Sequence, residues 1–333
     1  MHFDLSEEQA ELAATVRGLL DKRADSAAVR AASVSETGYD EALWATLCEQ
    51  IGVAALAVPE QYDGVGVTFF ETSVVLEELG RTIAPSPLLA TTVATEALLA
   101  GGTDEAKARL LPGIAAGEIA TIALDEAAAP VVLDGDRAAV VLAVRGDDLV
   151  EVTGATATWV EAMDQSVRLA RLDLSGAELT VIGDGVAARE RAELVGAASV
   201  AALAVGLADR ALRMTVDYSK ERVQFGRAIG SFQALKHRMA DVLARVEMAR
   251  SATWAASYAL SDPETDPAEA AFQAHAAASY ALETASLAAS ECVQLHGGIA
   301  ITWEHDAHLV FKRAHALGQL FGAPHRHRAA VAL

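Results

Sequence analysis

Two short stretches far apart in the chain carry side chains suited to holding a phosphate-bearing ligand. The first is Arg222-Val-Gln-Phe-Gly226, followed by Gln233. It joins amides and an aromatic ring to a guanidinium, a permanent cation whose planar fork can bond two phosphate oxygens. The second is Gln294-Leu-His-Gly-Gly298, whose glycines lack the side chains that would keep backbone away from a ligand. An isolated arginine reads more simply as half of a surface ion pair. The two stretches together could hold a dinucleotide's phosphates.

These residues need elements to carry them. Residues 1–117 read as helical: Ser6 can cap a first helix reaching Leu20, and 41–50 and 69–79 show helical spacing of apolar residues, with Pro59-Glu-Gln-Tyr-Asp-Gly64 as a loop between them. From 118 to 188 the pattern becomes short β-rich runs, at 138–144, 149–153, 167–172 and 179–182, separated by Gly and Asp turns. That predicts a small β domain. From 189 to 333 the chain is rich in Ala and Leu with long helical periodicity, broken at Gly226, at Ser261-Asp-Pro-Glu-Thr-Asp-Pro267 and at Gly297-Gly298. A four-helix bundle with a short tail is expected there. The whole reads as an α+β fold with domains in the order α, β, α.

The 333 residues suffice for two or three domains, and 52% hydrophobic content supports a large core. With 26 basic residues against 46 acidic ones, the net charge of −20 argues against nonspecific binding to nucleic acid or an anionic membrane. Cys48 and Cys292 are too few for a disulfide framework or a four-thiolate metal site; they read as small buried apolar residues in a reducing compartment. The start, Met1-His-Phe-Asp-Leu-Ser-Glu-Glu8, is neither basic nor apolar, and no apolar segment is expected to reach the roughly 20 residues that span a bilayer. A cytoplasmic location is the expectation.

Over nearly its whole length the chain resembles the acyl-CoA dehydrogenase family. The resemblance rests on Phe3-Asp-Leu-Ser-Glu-Glu-Gln9, Val58-Pro-Glu60 with Gly64-Val-Gly66, and Glu77-Glu-Leu-Gly80 in the first domain. In the last domain it rests on Gly206-Leu-Ala-Asp-Arg-Ala-Leu212, Tyr218-Ser-Lys-Glu-Arg-Val-Gln-Phe-Gly226, Gln233, Gln294-Leu-His-Gly-Gly298 and Thr302-Trp-Glu-His-Asp306. It implies FAD, an acyl-CoA thioester substrate, an electron-transfer flavoprotein or other acceptor, and three domains. In that family one subunit's β domain holds the flavin ring while its neighbour's helices clasp the pyrophosphate and adenine. Carried over, Arg222 pairs with pyrophosphate, Gln224 and Phe225 pack at the adenosine side, Gln233 hydrogen-bonds the cofactor, and Gln294, Gly297 and Gly298 supply backbone contact.

The chemistry this implies needs a carboxylate to take the substrate's α-proton while hydride leaves the β-carbon. Family members place a Glu near the C-terminus or after the helix that begins near Gln233. Here those positions fall at Phe321 or Gly322 in Leu320-Phe-Gly-Ala-Pro324 and near Ser261, and neither holds a carboxylate. Glu264 and Glu304 are substitutes, read more simply as a turn carboxylate and a capping one. The family's flavin-side loop is also altered, since Ala123-Leu-Asp-Glu126 runs into Ala-Ala-Ala-Pro130 without glycine or serine.

The leading expectation is therefore a subunit without its own catalytic residue. It would clasp FAD held by a second acyl-CoA dehydrogenase-like chain that carries the Glu, in a heterotetramer with two copies of each, like those family members that oxidise steroid side-chain CoA thioesters. The rivals are a self-sufficient homomeric enzyme using Glu264 or Glu304, and a CoA-thioester-binding scaffold without redox function. His325-Arg-His327, His305 and His308 lack a supporting carboxylate or thiolate set, and Arg326 and Arg328 would repel a metal, so these histidines are expected at the surface or facing CoA. Trp44, Trp159 and Trp254 read as core packing; Trp303 stands out beside the glycine turn.

Overall fold

In the computed structural model, residues 4–125 and 127–331 are described; Phe3 of the first motif, Glu126 of the altered loop and both extreme ends lie outside them. The chain opens with α1 (Glu7–Arg23), where Ser6 and Gln9 form a reciprocal cap: Gln9 N donates to Ser6 Oγ at 3.2 Å and Ser6 N to Gln9 Oε1 at 2.9 Å. Next come α2 (Ser26–Ser33) and α3 (Glu41–Thr46), capped by Asp25 and Asp40. The helical region expected over 41–50 continues past α3 as a wider π turn to Ile51, ended by Gly52 at φ 76°.

Then α4 (Phe69–Thr82) starts at a second reciprocal cap, in which Glu71 Oε2 accepts from Thr68 N at 3.0 Å and Phe70 N donates to Thr68 Oγ1 at 3.2 Å. Thr68→Ala removes that acceptor and is expected to cost about 1 kcal/mol, read as a lower denaturation midpoint. The region closes with α5 (Leu88–Gly101) and α6 (Asp104–Ala115).

The strands form two layers. One sheet has the order β1 (Ala120–Ala123), β3 (Val140–Arg145), β4 (Asp148–Thr153), β7 (Glu178–Asp184), with β1 parallel to β3 and the other pairs antiparallel. The second has the order β2 (Val131–Leu133), β6 (Leu169–Asp173), β5 (Thr156–Val160), all antiparallel. Ala123, Val132, Ala143, Val150, Val152 and Leu172 fill a small apolar core. Four of these strands coincide with the sequence expectation. The other three, β1, β2 and β5, are edge segments of three to five residues, too short to show an alternation.

The last region is built on α7 (Gly185–Glu221), capped by Asp184 and buried over most of its length. A two-strand hairpin, β8 (Val223–Gln224) and β9 (Arg227–Ala228), joins it to α8 (Gln233–Ser261). After α8 come α9 (Pro267–His296), α10 (Ala307–Leu317) and α11 (Pro324–Val331). By length and composition α7 is apolar enough to cross a bilayer, which corrects the expectation that no segment is. Its apolar window is 89% buried inside the fold, so its hydrophobicity is that of a core helix.

Glycines let α7 approach the first domain. A Cβ on Gly206 would lie 1.9 Å from Glu77 O, and one on Gly80 would lie 2.2 Å from Leu203 O, so α4 and α7 cross backbone against backbone. Charged groups surround the crossing. Arg17 Nε donates to Glu78 at 2.9 Å, Arg81 pairs with Glu78 and Asp209, and Arg250 Nε donates to Glu77 at 2.9 Å. Each buried carboxylate there has a cation, the condition under which a buried charge is tolerated.

Candidate functional site

The last turn of α7 delivers Arg222 to the surface as the helix's final capping residue. The hairpin that follows turns on Phe225 and Gly226, at φ 53° and 77°. Positive φ at both central residues is what a tight hairpin turn demands, and an aromatic residue rarely accepts it. Phe225 does, and its side chain stands 91% exposed. The hairpin folds back on α7: Ile229 N donates to Arg222 O at 2.8 Å, and a Cβ on Gly230 would meet Ser219 O at 2.8 Å. Phe232 braces it, with Arg227 over its ring at 4.0 Å and the Phe225 ring edge-on at 6.2 Å. Gln233 is thereby set at the first position of α8, exposed.

The second stretch ends α9. Gly297 has φ 67° and ψ −144°, a backbone region essentially reserved for glycine. A Cβ on Gly297 or Gly298 would meet nothing within 4 Å, so open space faces both, and Gln294 is exposed on the preceding turn.

What joins the two stretches is an aromatic stack that sequence reasoning did not identify. His296 is 4% exposed; its ring lies 4.4 Å from that of Tyr218 at 28°, and 4.5 Å from that of His305. Tyr218 is one helical turn before Arg222, and His296 immediately precedes Gly297, so the stack fixes the two motif-bearing helix ends against each other. Nδ1 of His296 donates to Cys292 O at 2.7 Å. Burial, with His305 alongside, holds the imidazole below its ordinary pKa and favours the neutral ring.

The loop after the glycines is pinned by Asp306, which accepts from Ser26 Oγ at 2.6 Å, Arg30 Nη2 at 2.7 Å and Arg210 Nη2 at 3.0 Å. Burial opposes ionisation of this carboxyl, but the hydrogen bonds from Ser26 and Arg30 and the charge of Arg210 outweigh it and hold its pKa below the ordinary value. Trp303 projects from the loop 66% exposed, with Lys312 Nζ 4.6 Å over its ring.

Arg222 has no carboxylate partner among the described residues, and the side chains of Gln233 and Gln294 make no hydrogen bond there. Gln224 donates to its neighbour Val223 O at 2.8 Å. An unpaired guanidinium, two amides and two uncovered glycines at adjoining helix ends suit the diphosphate of a dinucleotide. The residues present fit FAD in that respect.

The positions expected to bear a base are filled otherwise. Phe321, at φ 52°, packs where a Cβ on Gly196 would be 2.3 Å from its ring, and lines a cavity of about 500 Å³ between the β1 and β2 edges and α7. Ser261 accepts from Phe70 N at 3.0 Å and donates to Ser257 O at 2.7 Å, tying α8 to α4. Glu264 sits exposed in the turn between α8 and α9, where its N–H donates to Asp262 Oδ1 at 3.0 Å. Glu304 is exposed, and a hydrogen bond from Thr302 keeps its carboxyl below the ordinary range, the wrong direction for a base that must hold a proton.

Other expectations need correction. His327 is buried, its Nδ1 3.0 Å from Nδ1 of His275, because α11 turns its His327 face onto α9. His305 belongs to the stack. Trp159 is 53% exposed on the edge strand β5, whereas Trp44 is buried and donates to Gly117 O at 3.0 Å. Both cysteines are buried, and burial pushes the Cys48 thiol up to about 12.

Residues 6–118 match the acyl-CoA dehydrogenase N-terminal domain, and residues 183–332 match the acyl-CoA dehydrogenase C-terminal domain. The chain is 46% identical over 319 residues to the acyl-CoA dehydrogenase IpdE2 of Mycobacterium tuberculosis, covering 96% of this chain and 94% of that protein. Its fold matches a variant of the Tcur3481-Tcur3483 steroid ACAD with a TM-score of 0.87 and 29% identity, covering 98% of this chain and 96% of the other. It also matches the ChsE4-ChsE5 complex from Mycobacterium tuberculosis with a TM-score of 0.88 and 25% identity, covering 99% and 97%. Helical regions flanking a two-sheet β layer and likeness along nearly the whole length agree: the chain belongs to the acyl-CoA dehydrogenase family.

Proposed function

We propose that this chain is the non-catalytic subunit of an FAD-dependent acyl-CoA dehydrogenase, clasping a flavin whose ring lies in the β domain of a different chain. The observation that carries the reading is the division within the chain: the clasp side is open and its cation unpaired, while the position of the base holds Phe321 packed on Gly196. Arg222 would bond the pyrophosphate oxygens, Gln233 and Gln294 would hydrogen-bond the cofactor, and Gly297 and Gly298 would admit it against their backbone. Gln224 and Phe225 would cover the adenosine side. The domain limits 1–117, 118–188 and 189–333 go with this reading, the clasp lying wholly in the last.

FAD, when bound, would accept the hydride from the substrate's β-carbon. The α-proton would go to a Glu of the partner chain, since Glu264 and Glu304 of this chain lie exposed and away from the Phe321 cavity. A heterotetramer with two copies of each chain, and a steroid side-chain CoA as substrate, are supported by the fold's likeness to the Tcur3481-Tcur3483 steroid ACAD and to the ChsE4-ChsE5 complex. An electron-transfer flavoprotein, or another acceptor, would reoxidise the assembly.

The test is the visible absorbance of the chain purified alone and after co-expression with an acyl-CoA dehydrogenase-like chain that carries the Glu. Flavin is expected only in the mixed complex, where acyl-CoA should bleach it. Stoichiometric FAD and turnover in the lone chain would sink the proposal.

A further inference from the structure

Between β2 and β3 the chain makes a tight turn at Asp134, whose backbone is left-handed at φ 50° and whose carbonyl accepts from the N–H groups of Arg137 and Ala138. In sequence, Leu133-Asp-Gly-Asp-Arg137 is an ordinary exposed turn. In the fold it is driven inward: Asp134 is 6% exposed and borders a small space of about 30 Å³ shared with Leu76 and Leu79 of α4, Leu203 of α7, Ser86 before α5, and Arg313 of α10. The β layer meets the helices of both flanking regions there.

The charges around it are already matched. Arg168 Nε donates to Asp136 at 2.9 Å, and Arg137 lies 3.4 Å from the same carboxylate. Arg313 is 2.8 Å from Asp164 as an ionic contact and donates through Nη2 to Ser166 O at 2.9 Å. No ion pair or hydrogen bond among the described residues reaches the Asp134 carboxyl. The other titratable group facing it is Tyr39, from the loop after α2, and α4 and α7 present only leucines. A carboxylate buried here would be an anion with no cation left to it, beside a second anion at Asp136, and burying such a charge costs more than keeping the acid neutral.

We infer that Asp134 is a proton-operated catch at this joint: it stays neutral when the joint is closed, and its ionisation draws Arg313 away from Asp164 and Ser166. The side chain of Arg313 ties the 164–168 loop to α10, so losing its anchor loosens the loop against α10. Burial and the charge of Asp136 raise the Asp134 carboxyl to about 7, while Arg168 and Arg313 only partly offset them. A folded-state value above the unfolded one means that the contribution to stability is fully present below the ordinary carboxyl range and is lost as pH rises through about 7. The catch therefore opens as pH rises from the ordinary carboxyl range toward about 7.

Hydrogen exchange of the full chain between about pH 4.5 and about pH 8.5, normalised at each pH to the unfolded chain, reads the joint directly. Peptides covering 164–168 and 307–317 are expected to lose protection by up to about tenfold per pH unit as pH rises toward about 7, one proton leaving per opening, and to level off above it, where closed and open states are both ionised. Asp134→Asn suits the same left-handed backbone and cannot ionise. It is expected to keep those peptides protected across the range and to melt a few degrees higher than wild type at the alkaline end. Flat protection in the wild type overturns the inference, and so does an Asp134→Asn chain that loses protection in parallel with it. The wild-type titration decides the matter even if the variant folds poorly.

Discussion

A Gly206→Ala chain is expected to melt far below the wild type, with a loss of about 3 kcal/mol. Helix propensity alone points the other way, since alanine in a helix interior is favoured over glycine by about 1 kcal/mol. The contact decides the sign. A methyl group at 206 would sit 1.9 Å from Glu77 O and 2.7 Å from Arg81 N, and backbone atoms cannot swing aside as a flexible side chain can. The helices would have to separate, and the carboxylates of Glu77, Glu78 and Asp209 would be pulled off the guanidinium groups that neutralise them. Gly18, in α1, is the control: its Cβ would meet nothing within 4 Å, so Gly18→Ala should raise stability by about 1 kcal/mol. Denaturant midpoints of the two variants measure both. A Gly206→Ala chain at least as stable as wild type would show that α4 and α7 do not meet closely in solution.

Arg222→Ala is expected to weaken flavin retention by the assembled complex about 30-fold, equivalent to about 2 kcal/mol for hydrogen bonds to a charged group. The guanidinium is exposed and has no partner within the described chain, so the variant should fold, melt and associate as the wild type does. Arg222→Lys keeps the charge but not the two-pronged geometry and should fall between them. Flavin released on dialysis, followed by fluorescence, separates the three. Retention of full stoichiometric FAD by Arg222→Ala would remove Arg222 from the clasp.

The turns of the two stretches proposed as a clasp were legible because their residue types are bound to local backbone. Gly226 and Gly297 occupy positive φ, and Arg222 and Gln233 are exposed where a structural role would have given them partners. That Phe321 and Ser261, and no carboxylate, occupy the positions counted for a base was legible too. The Tyr218–His296–His305 stack was not, since it unites three residues from separate elements, although Tyr218 one turn before Arg222 and His296 beside Gly297 were signals of position. The strands β1, β2 and β5 escaped because three to five residues at a sheet edge leave little alternation to read. His327 was misread because a polar residue in a short tail looks solvated until another element covers it.

Phe225 at 91% exposure, Ile301 at 77% and Trp303 at 66% lie in and beside the two clasp turns, so a lone copy of this chain keeps three large apolar side chains in water. Exposed large apolar groups of that kind are what chaperones and proteases recognise. In the assembly proposed above, the surface that a partner covers would be the same one that exposes unassembled copies to removal, so the level of the chain would follow that of its partner.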